Sequence, residues 1–308
     1  MMDQRVLIVG SVALDDIQTP QGDAQRILGG SAVYGSVAAS HFAGVDIVGV
    51  VGEDFPDEHV EALHARGVDT RGLERVDGGK TFHWGGEYVD EMNEAETHFT
   101  ELGVFAEFDP KIPETYRDNA FVFLANIDPE LQLRVLDQVR EPRLIVIDSM
   151  NLWINIRREA LLEALGLADV ALLNDAEVRM LFDTHSLPAA AERLLNLGLE
   201  RVIIKKGSHG AQMFSREGVF AVPAIPLTSV KDPTGAGDTF AGGLIGYLAG
   251  RSELDEEAFR QAVLVGSSCA SFVVEDFSIR KTAALTRMMI HDRCKHLHDA
   301  LRCDMPEV

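Results

Sequence analysis

The chain has 308 residues, 46% of them apolar and 25% charged, which is the balance of a soluble globular protein with a sizeable core. That length allows one large domain or two small ones. A net charge of −21 repels nucleic-acid phosphates and anionic lipid heads and excludes both as partners, so any phosphate site has to be built locally against the bulk field.

The first predicted strand, Val6–Val9, follows the N-terminus at once, without the layout of a signal peptide, and a cytoplasmic protein is expected. No later apolar run is long enough to span a bilayer. Asp15 and Asp16 follow this strand, and Gly29-Gly30-Ser31 opens a predicted helix, Ala32–Phe42. A strand at Ile47–Val51 and a helix at Glu58–Arg66 come next. Thr81–Phe105 breaks the pattern: Phe82, Trp84 and Tyr88 share one parity, and a polar stretch separates them from Thr97–Leu102. Two exposed strands and a turn are expected there, as a flap whose aromatics either close over a ligand or bury against the main domain or a second subunit.

Regular alternation then resumes. Strands are expected at Phe121–Leu124, Leu144–Ile147, Val170–Leu173 and Val202–Lys205, with helices at Pro129–Val139, Arg157–Leu165 and Leu187–Leu197. The strands are almost wholly apolar, as strands covered on both faces must be, and the alternation predicts a mostly parallel sheet between helical layers. Ala211–Phe214 and Val219–Val222 read as an antiparallel edge hairpin. The last third is helical, over Thr239–Ala249, Asp255–Val274 and Thr282–Leu301, with a frayed tail beyond. Cys269, Cys294 and Cys303 have no C-x-x-C spacing and read as reduced, packing thiols. The scattered histidines lack metal-ligand spacing, and no Gly-x-Ser-x-Gly elbow supports a hydrolase.

Polar residues gather just after the strands, where open α/β sheets bind ligands: Asn126, Asp128, Asp148, Asn151, Asn174, Glu177, Lys205, Lys206, Gly207 and Ser208. The sharpest motif is Asp232-Pro233-Thr234-Gly235-Ala236-Gly237-Asp238-Thr239-Phe240. Gly235, Ala236 and Gly237 let backbone N–H groups approach an anion, and the helix that follows adds the positive end of its dipole. Asp238 then stands where a carboxylate can take a proton from an attacking hydroxyl, or it simply caps the helix. Asn174-x-x-Glu177 likewise reads in two ways, as oxygen ligands near a water-shelled Mg²⁺ or as a capping box.

Together these motifs resemble the ribokinase-like, or PfkB, family of carbohydrate and nucleoside kinases, over nearly the full length and in the family's order. The quoted stretches are 10–15, Gly29-Gly30, 50–54, 148–151, Asn174 to Glu177, 205–210 and 232–240. The resemblance implies a three-layer α/β/α sandwich, α/β in class, with a mostly parallel central sheet. It implies one domain over 1–308, with a small β lid from about 12–28 and 80–105. It implies transfer of the γ-phosphoryl group of ATP to a hydroxymethyl group of a sugar. Asp238 becomes the base, and Gly235, Ala236 and Gly237 the anion hole. Asp15, Gly29, Gly30, Tyr34 and Asn126 take the substrate. Asn174, Lys205, Gly207, Ser208, Gly210 and the turn glycines take ATP, with the base near Gly266 to Phe277. Asn174 and Glu177 hold Mg²⁺, largely through water, and Asp232 and Thr234 match ligands of a K⁺ ion. A homodimer through the lid is a further implication.

Two departures bear on the substrate. Tyr34 stands where sugar kinases of the family often carry an Asn that binds a substrate hydroxyl, so a ring that stacks on the ligand or fills part of the pocket is expected. Pro233 stands where a Thr or small residue is usual. Tyr34 and the aromatic flap lean towards a nucleoside. The alternatives to a sugar kinase are therefore a nucleoside kinase, an ADP-dependent enzyme, or a catalytically silent sugar- or nucleotide-binding regulator.

Overall fold

In a computed structural model the chain is described at residues 4–89, 92 and 95–301. Cys303, the tail beyond Leu301 and most of the polar turn predicted at 90–96 lie outside the described residues. The chain opens with β1 (Arg5–Val9), crosses into an antiparallel pair, β2 (Ala13–Thr19) and β3 (Gly22–Gly29), and returns through α1 (Ser31–Ala39) to β4 (Gly44–Gly52). Next come α2 (Asp57–Ala65), β5 (Val68–Val76) and a second antiparallel pair, β6 (Phe82–Tyr88) and β7 (Ala95–Glu101). The strand–helix units are β8 (Phe121–Leu124), α3 (Pro129–Leu136), β9 (Leu144–Asp148), α4 (Asn151–Ile156), α5 (Arg158–Gly166), β10 (Val170–Asn174), α6 (Asp175–Phe182), α7 (Leu187–Leu195) and β11 (Arg201–Lys205). The hairpin β12 (Ala211–Ser215) and β13 (Gly218–Val222) leads into α8 (Ala236–Ala249), α9 (Glu256–Val273), α10 (Arg280–Ala283) and α11 (Arg287–Ala300).

The main sheet is 9-stranded, in the order β13-β12-β11-β10-β9-β8-β1-β4-β5. Every pair from β5 to β11 is parallel, and at the other edge β12 pairs antiparallel with both β11 and β13. Side chains alternate across the pleat and so feed two cores. Val6, Ile8, Phe121, Phe123, Leu172 and Ile203 pack with α1, α8 and α9 on one face. Leu7, Val9, Val122, Leu124, Ala171 and Ile204 pack with α3 to α7 on the other. A separate 4-stranded sheet, β3-β2-β6-β7, forms the lid.

The apolar strands lie where their sequence places them. β2, β3 and β5 carry no such signal, because they are polar or exposed on one side, as in the Val68–Val76 run. Helices end two or three residues early, α1 at Ala39 and α3 at Leu136. The single helix predicted over Thr282–Leu301 is two helices, because Thr286 starts α11 afresh by accepting a hydrogen bond from Met289 N at 3.3 Å.

One polar residue buried on α3 ties down the edge of the sheet where ligands gather. Gln132 is fully buried, and its Nε2 donates to Ala125 O at 3.0 Å, Asp148 O at 3.0 Å and Leu124 O at 3.3 Å. It thus holds the ends of β8 and β9 together. Gln132→Leu keeps the volume and strands those carbonyls, so urea unfolding should show a loss of about 1–3 kcal/mol. Unchanged stability would show that the carbonyls find other donors.

Candidate active site

The site assembles around the first turn of α8. Asp232 Oδ1 accepts Thr234 N at 2.9 Å and bends the chain into the turn. Gly235 then takes φ 73°, the left-handed conformation that glycine adopts at least cost. Space demands glycine as well: a Cβ there would lie 2.3–2.5 Å from the ring carbons of Tyr34. Asp238 follows in the first turn of α8, with its carboxyl pushed up to about 7 by burial and, next, by Asp148. The helix start thus presents amide hydrogens, a positive dipole end and one carboxyl together.

Neighbouring strand ends supply one side. Asn174 of β10 pairs in register with Lys205 of β11. Lys205 Nζ donates to Asp148 Oδ2 at 2.5 Å, and a Cβ on Gly237 would stand 3.0 Å from that nitrogen. Burial pulls the Lys205 ammonium down, yet Asp148 and Glu177 together hold it above its ordinary value. Asn174 and Glu177 form the complete capping box of α6: Glu177 N donates to Asn174 Oδ1 at 2.8 Å, and Asn174 N and Nδ2 each donate to Glu177 at 2.7 Å. Burial still raises the Glu177 carboxyl to about 7, against the pull of Lys205. The capping role is therefore real, and it fixes both side chains at the rim.

The other side lies beneath the lid. Asp15 of β2 is buried against Gly29, where a Cβ would lie 1.8 Å from its Oδ2. Burial raises Asp15 to about 8, and Asp232, Asp16 and Asp238 add to the shift in that order. Gly30 has φ 98° and sits so close to the β1–β2 loop that a Cβ would meet Ser11 O at 2.4 Å. Tyr34 does not offer an open stacking face. Gly235 covers its ring, the residue is 2% exposed, and its hydroxyl has no partner. Burial, then Asp15 and Asp232, keep that hydroxyl from ionising. Asn126 points its Oδ1 at the indole of Trp153, which donates at 3.0 Å.

Among the expected ATP ligands, Lys205 joins the cluster. Gly207 to His209 form a short 3-10 turn, and Gly210 is dictated by the edge hairpin, since a Cβ would lie 2.0 Å from Val222 O. Gly266, expected near the base, is a packing glycine in α9, where a Cβ would lie 2.8 Å from Phe240 O. The flap aromatics divide between the alternatives. Phe82 stacks on Phe105 at 5.4 Å, away from the turn. Tyr88 is buried with Ile17, Ile27 and Phe277, and its hydroxyl accepts from Thr234 Oγ1 at 3.2 Å. Trp153 was not singled out by sequence, and Asp148 was named only among the polar residues that end the strands, without a role of its own.

Seven parallel strands, two helical layers, a β lid and an acid in a glycine-lined helix start define the ribokinase-like class of phosphotransferases that use an alcohol group as acceptor. A model of the pfkB family of carbohydrate kinases matches residues 4–284, and the chain belongs to that family. A cytidine kinase of Thermococcus kodakarensis is 31% identical over 255 residues, covering 80% of this chain and 89% of that protein. An aminoimidazole riboside kinase of Salmonella typhimurium is 25% identical over 287 residues, covering 88% and 89%. The structure of a Burkholderia thailandensis nucleoside kinase in complex with ADP and inosine superposes with a TM-score of 0.78 at 20% identity, covering 96% of each chain. The chain is a sugar or nucleoside kinase. No helix among the described residues is long and apolar enough to cross a membrane.

The raised Asp15 carboxyl has a consequence for stability. Folding favours its neutral form, so its contribution is fully present below the ordinary value near 3.8 and is lost as pH rises through about 8. Asp15→Asn removes that loss. Without ligands, the variant should melt higher than the parent by roughly 5 °C at pH 8.5, with a smaller gap at pH 5.5. A gap independent of pH would place the ionisation elsewhere.

Proposed function

We propose that this kinase transfers the γ-phosphoryl group of ATP to the hydroxymethyl group of a nucleoside. One observation carries the chemistry: Asp238 lies in the first turn of α8, where Gly237 faces the Lys205 ammonium and Gly235 packs against the ring of Tyr34. A base for this reaction has to stand between acceptor and phosphate. Its carboxylate takes the hydroxyl proton as the acceptor oxygen bonds to phosphorus and the bond to the β,γ-bridging oxygen breaks, releasing ADP. The amides of Gly235 to Asp238 and the Lys205 ammonium stabilise charge on the moving phosphoryl group. The lid keeps out water that would compete as acceptor.

Two observations favour a nucleoside. The cytidine kinase and the aminoimidazole riboside kinase, both similar over most of the chain, act on ribosides by name. The strongest charges felt by Asp15 are all acidic, which suits a neutral acceptor and disfavours sugar acids and sugar phosphates. A free sugar is the second reading, favoured by the family's description as carbohydrate kinases.

Asp148, Glu177 and Asp238 crowd around one ammonium, a donor set that a divalent cation relieves. Asn174 and Glu177 would hold Mg²⁺ through its water shell, since no three His, Cys, Asp or Glu among the described residues form a direct cage. When bound, the ion supplies positive charge to the phosphates. Asp232 Oδ2 is buried without a partner, and with Thr234 it would hold K⁺. The lid's edge strands, β3 and β7, are the surfaces through which two copies would pair.

ADP release measured with ATP and Mg²⁺ against cytidine, other nucleosides, ribose and fructose tests the reading. Turnover should be highest with a nucleoside; turnover on free sugars alone would overturn the nucleoside assignment. Asp238→Asn should cut kcat by about a thousandfold or more while both substrates still bind. For the parent, kcat/KM should rise with pH through about 7 as Asp238 loses its proton. Replacing K⁺ by a tetraalkylammonium ion should lower the rate, and Asp232→Asn should remove that dependence.

A further inference from the structure

The kinase reading leaves a second concavity unused. α11 lies against α9 and the far end of α8, and the seam opens into a groove of about 410 Å³. Tyr247 at its wall is nine residues beyond Asp238, roughly 13 Å along the axis of α8. The groove is therefore separate from the catalytic turn.

Its floor is apolar. Phe42, Leu264, Val265 and Ile290 line it, and Phe42 meets Tyr247 edge to face at 6.2 Å. Its rim carries two cations, Arg287 and Lys295, and two imidazoles, His291 and His298. Arg287, His291, Lys295 and His298 recur every three or four residues, which places them along one face of α11. The Arg287 guanidinium donates only to main-chain carbonyls, those of His41 and Phe42, so no carboxylate neutralises it. Lys295 and His291 have no hydrogen-bond or ion-pair partner among the described residues. Only His298 faces an acid, Asp299 at 3.4 Å.

Unpaired cations are costly to explain in a chain of net charge −21, where carboxylates outnumber them. α11 also carries Asp292 and Asp299, yet no Asp or Glu among the described residues lines the groove. Here the cations converge on an apolar hollow within the size range of small-molecule sites. Grease alone would accept any apolar molecule, and charge alone any anion; the combination selects a ligand that is both.

We propose that this groove is an accessory ligand site for a small organic anion, one with a single aromatic ring or short alkyl body and a phosphate or carboxylate head. The body packs on Phe42, Tyr247, Leu264 and Ile290, and the head meets Lys295, His291 and Arg287.

Phenyl phosphate is the probe, with inorganic phosphate and benzyl alcohol as head-only and body-only controls. Calorimetry on the full chain at pH 7 should show phenyl phosphate binding at least tenfold tighter than either control. Lys295→Glu should weaken it tenfold or more, and Leu264→Trp, which fills the floor, should do the same. Both variants lie outside the catalytic turn, so kcat within twofold of the parent would show that they fold. Affinity that survives both substitutions places the probe at the catalytic anion hole and overturns the proposal. Equal binding of either control, or none at 10 mM probe (about the weakest affinity worth measuring), overturns it too. Binding seen only after residues 302–308 are removed would make the chain's own C-terminal segment the occupant, and the accessory site would not stand.

Discussion

Carboxyl groups held out of water around one helix start set the terms for the rest of the molecule. Asp15, Glu177, Asp232 and Asp238 all lie above the ordinary carboxylate range, and burial is the first cause in each case. Burial thus makes the charged form of each more costly than it is in water. The single ammonium among them, Lys205, is already engaged by Asp148. Such a cluster opposes folding, and the two apolar layers on either side of the sheet have to outweigh it. The same strain has a use. Any cation that binds among these carboxylates relieves part of it, so ligand binding and stability are linked.

That cluster keeps its geometry because α1 and α8 approach too closely to slide. A Cβ on Gly242 would lie 2.1 Å from Gly35 O, and one on Gly246 would lie 2.7 Å from the Cα of Ala39. These glycines sit one turn apart on α8, so its whole length is pressed against α1. Gly30 starts α1 and Gly235 starts α8. The two beginnings of this locked helix pair are thus the two sides of the proposed site. Tyr34, one turn into α1, fills the space over Gly235 and completes the lock.

This explains which parts of the site could be read from the chain. The Gly235-Ala236-Gly237-Asp238 run and the apolar strands are local patterns, and the structure places them together because the strands all end at one edge. Tyr34 was expected to stack on a ligand or to fill part of the pocket, and its packing against Gly235 suits the second alternative. Its sequence neighbours say nothing of Gly235, some two hundred residues away, whose missing side chain makes room for the ring. Asn174 and Glu177 illustrate a different limit. A capping box and a metal-facing pair share one spacing, and here the box is formed while the carboxyl stays at the rim. The lid strands β2 and β3 were implied only by the resemblance, because β2 interrupts its apolar residues with Asp15, Asp16 and Gln18 and half of β3 is exposed. The break before α11 was hidden because Thr286 caps a helix that resumes the same period.

The lid is coupled to the turn through residues of both. Thr234 gives its hydroxyl proton to Tyr88 of β6, while its own N–H is held by Asp232. Beside it, Phe277 enters the lid's apolar cluster with Ile17, Ile27 and Tyr88. At the other end of the lid, Asp54 accepts from Thr81 N at 2.7 Å and Thr81 Oγ1 at 2.9 Å, and pairs with Arg26 of β3 at 3.0 Å. The hinge end is therefore fastened by charge, and the free end by one hydroxyl and a small apolar contact. Opening at the Tyr88 end is the cheaper motion, because it exposes little apolar surface and breaks a bond between neutral groups. For the proposed reaction, closing that end of the lid would complete the turn and shut out water in one step.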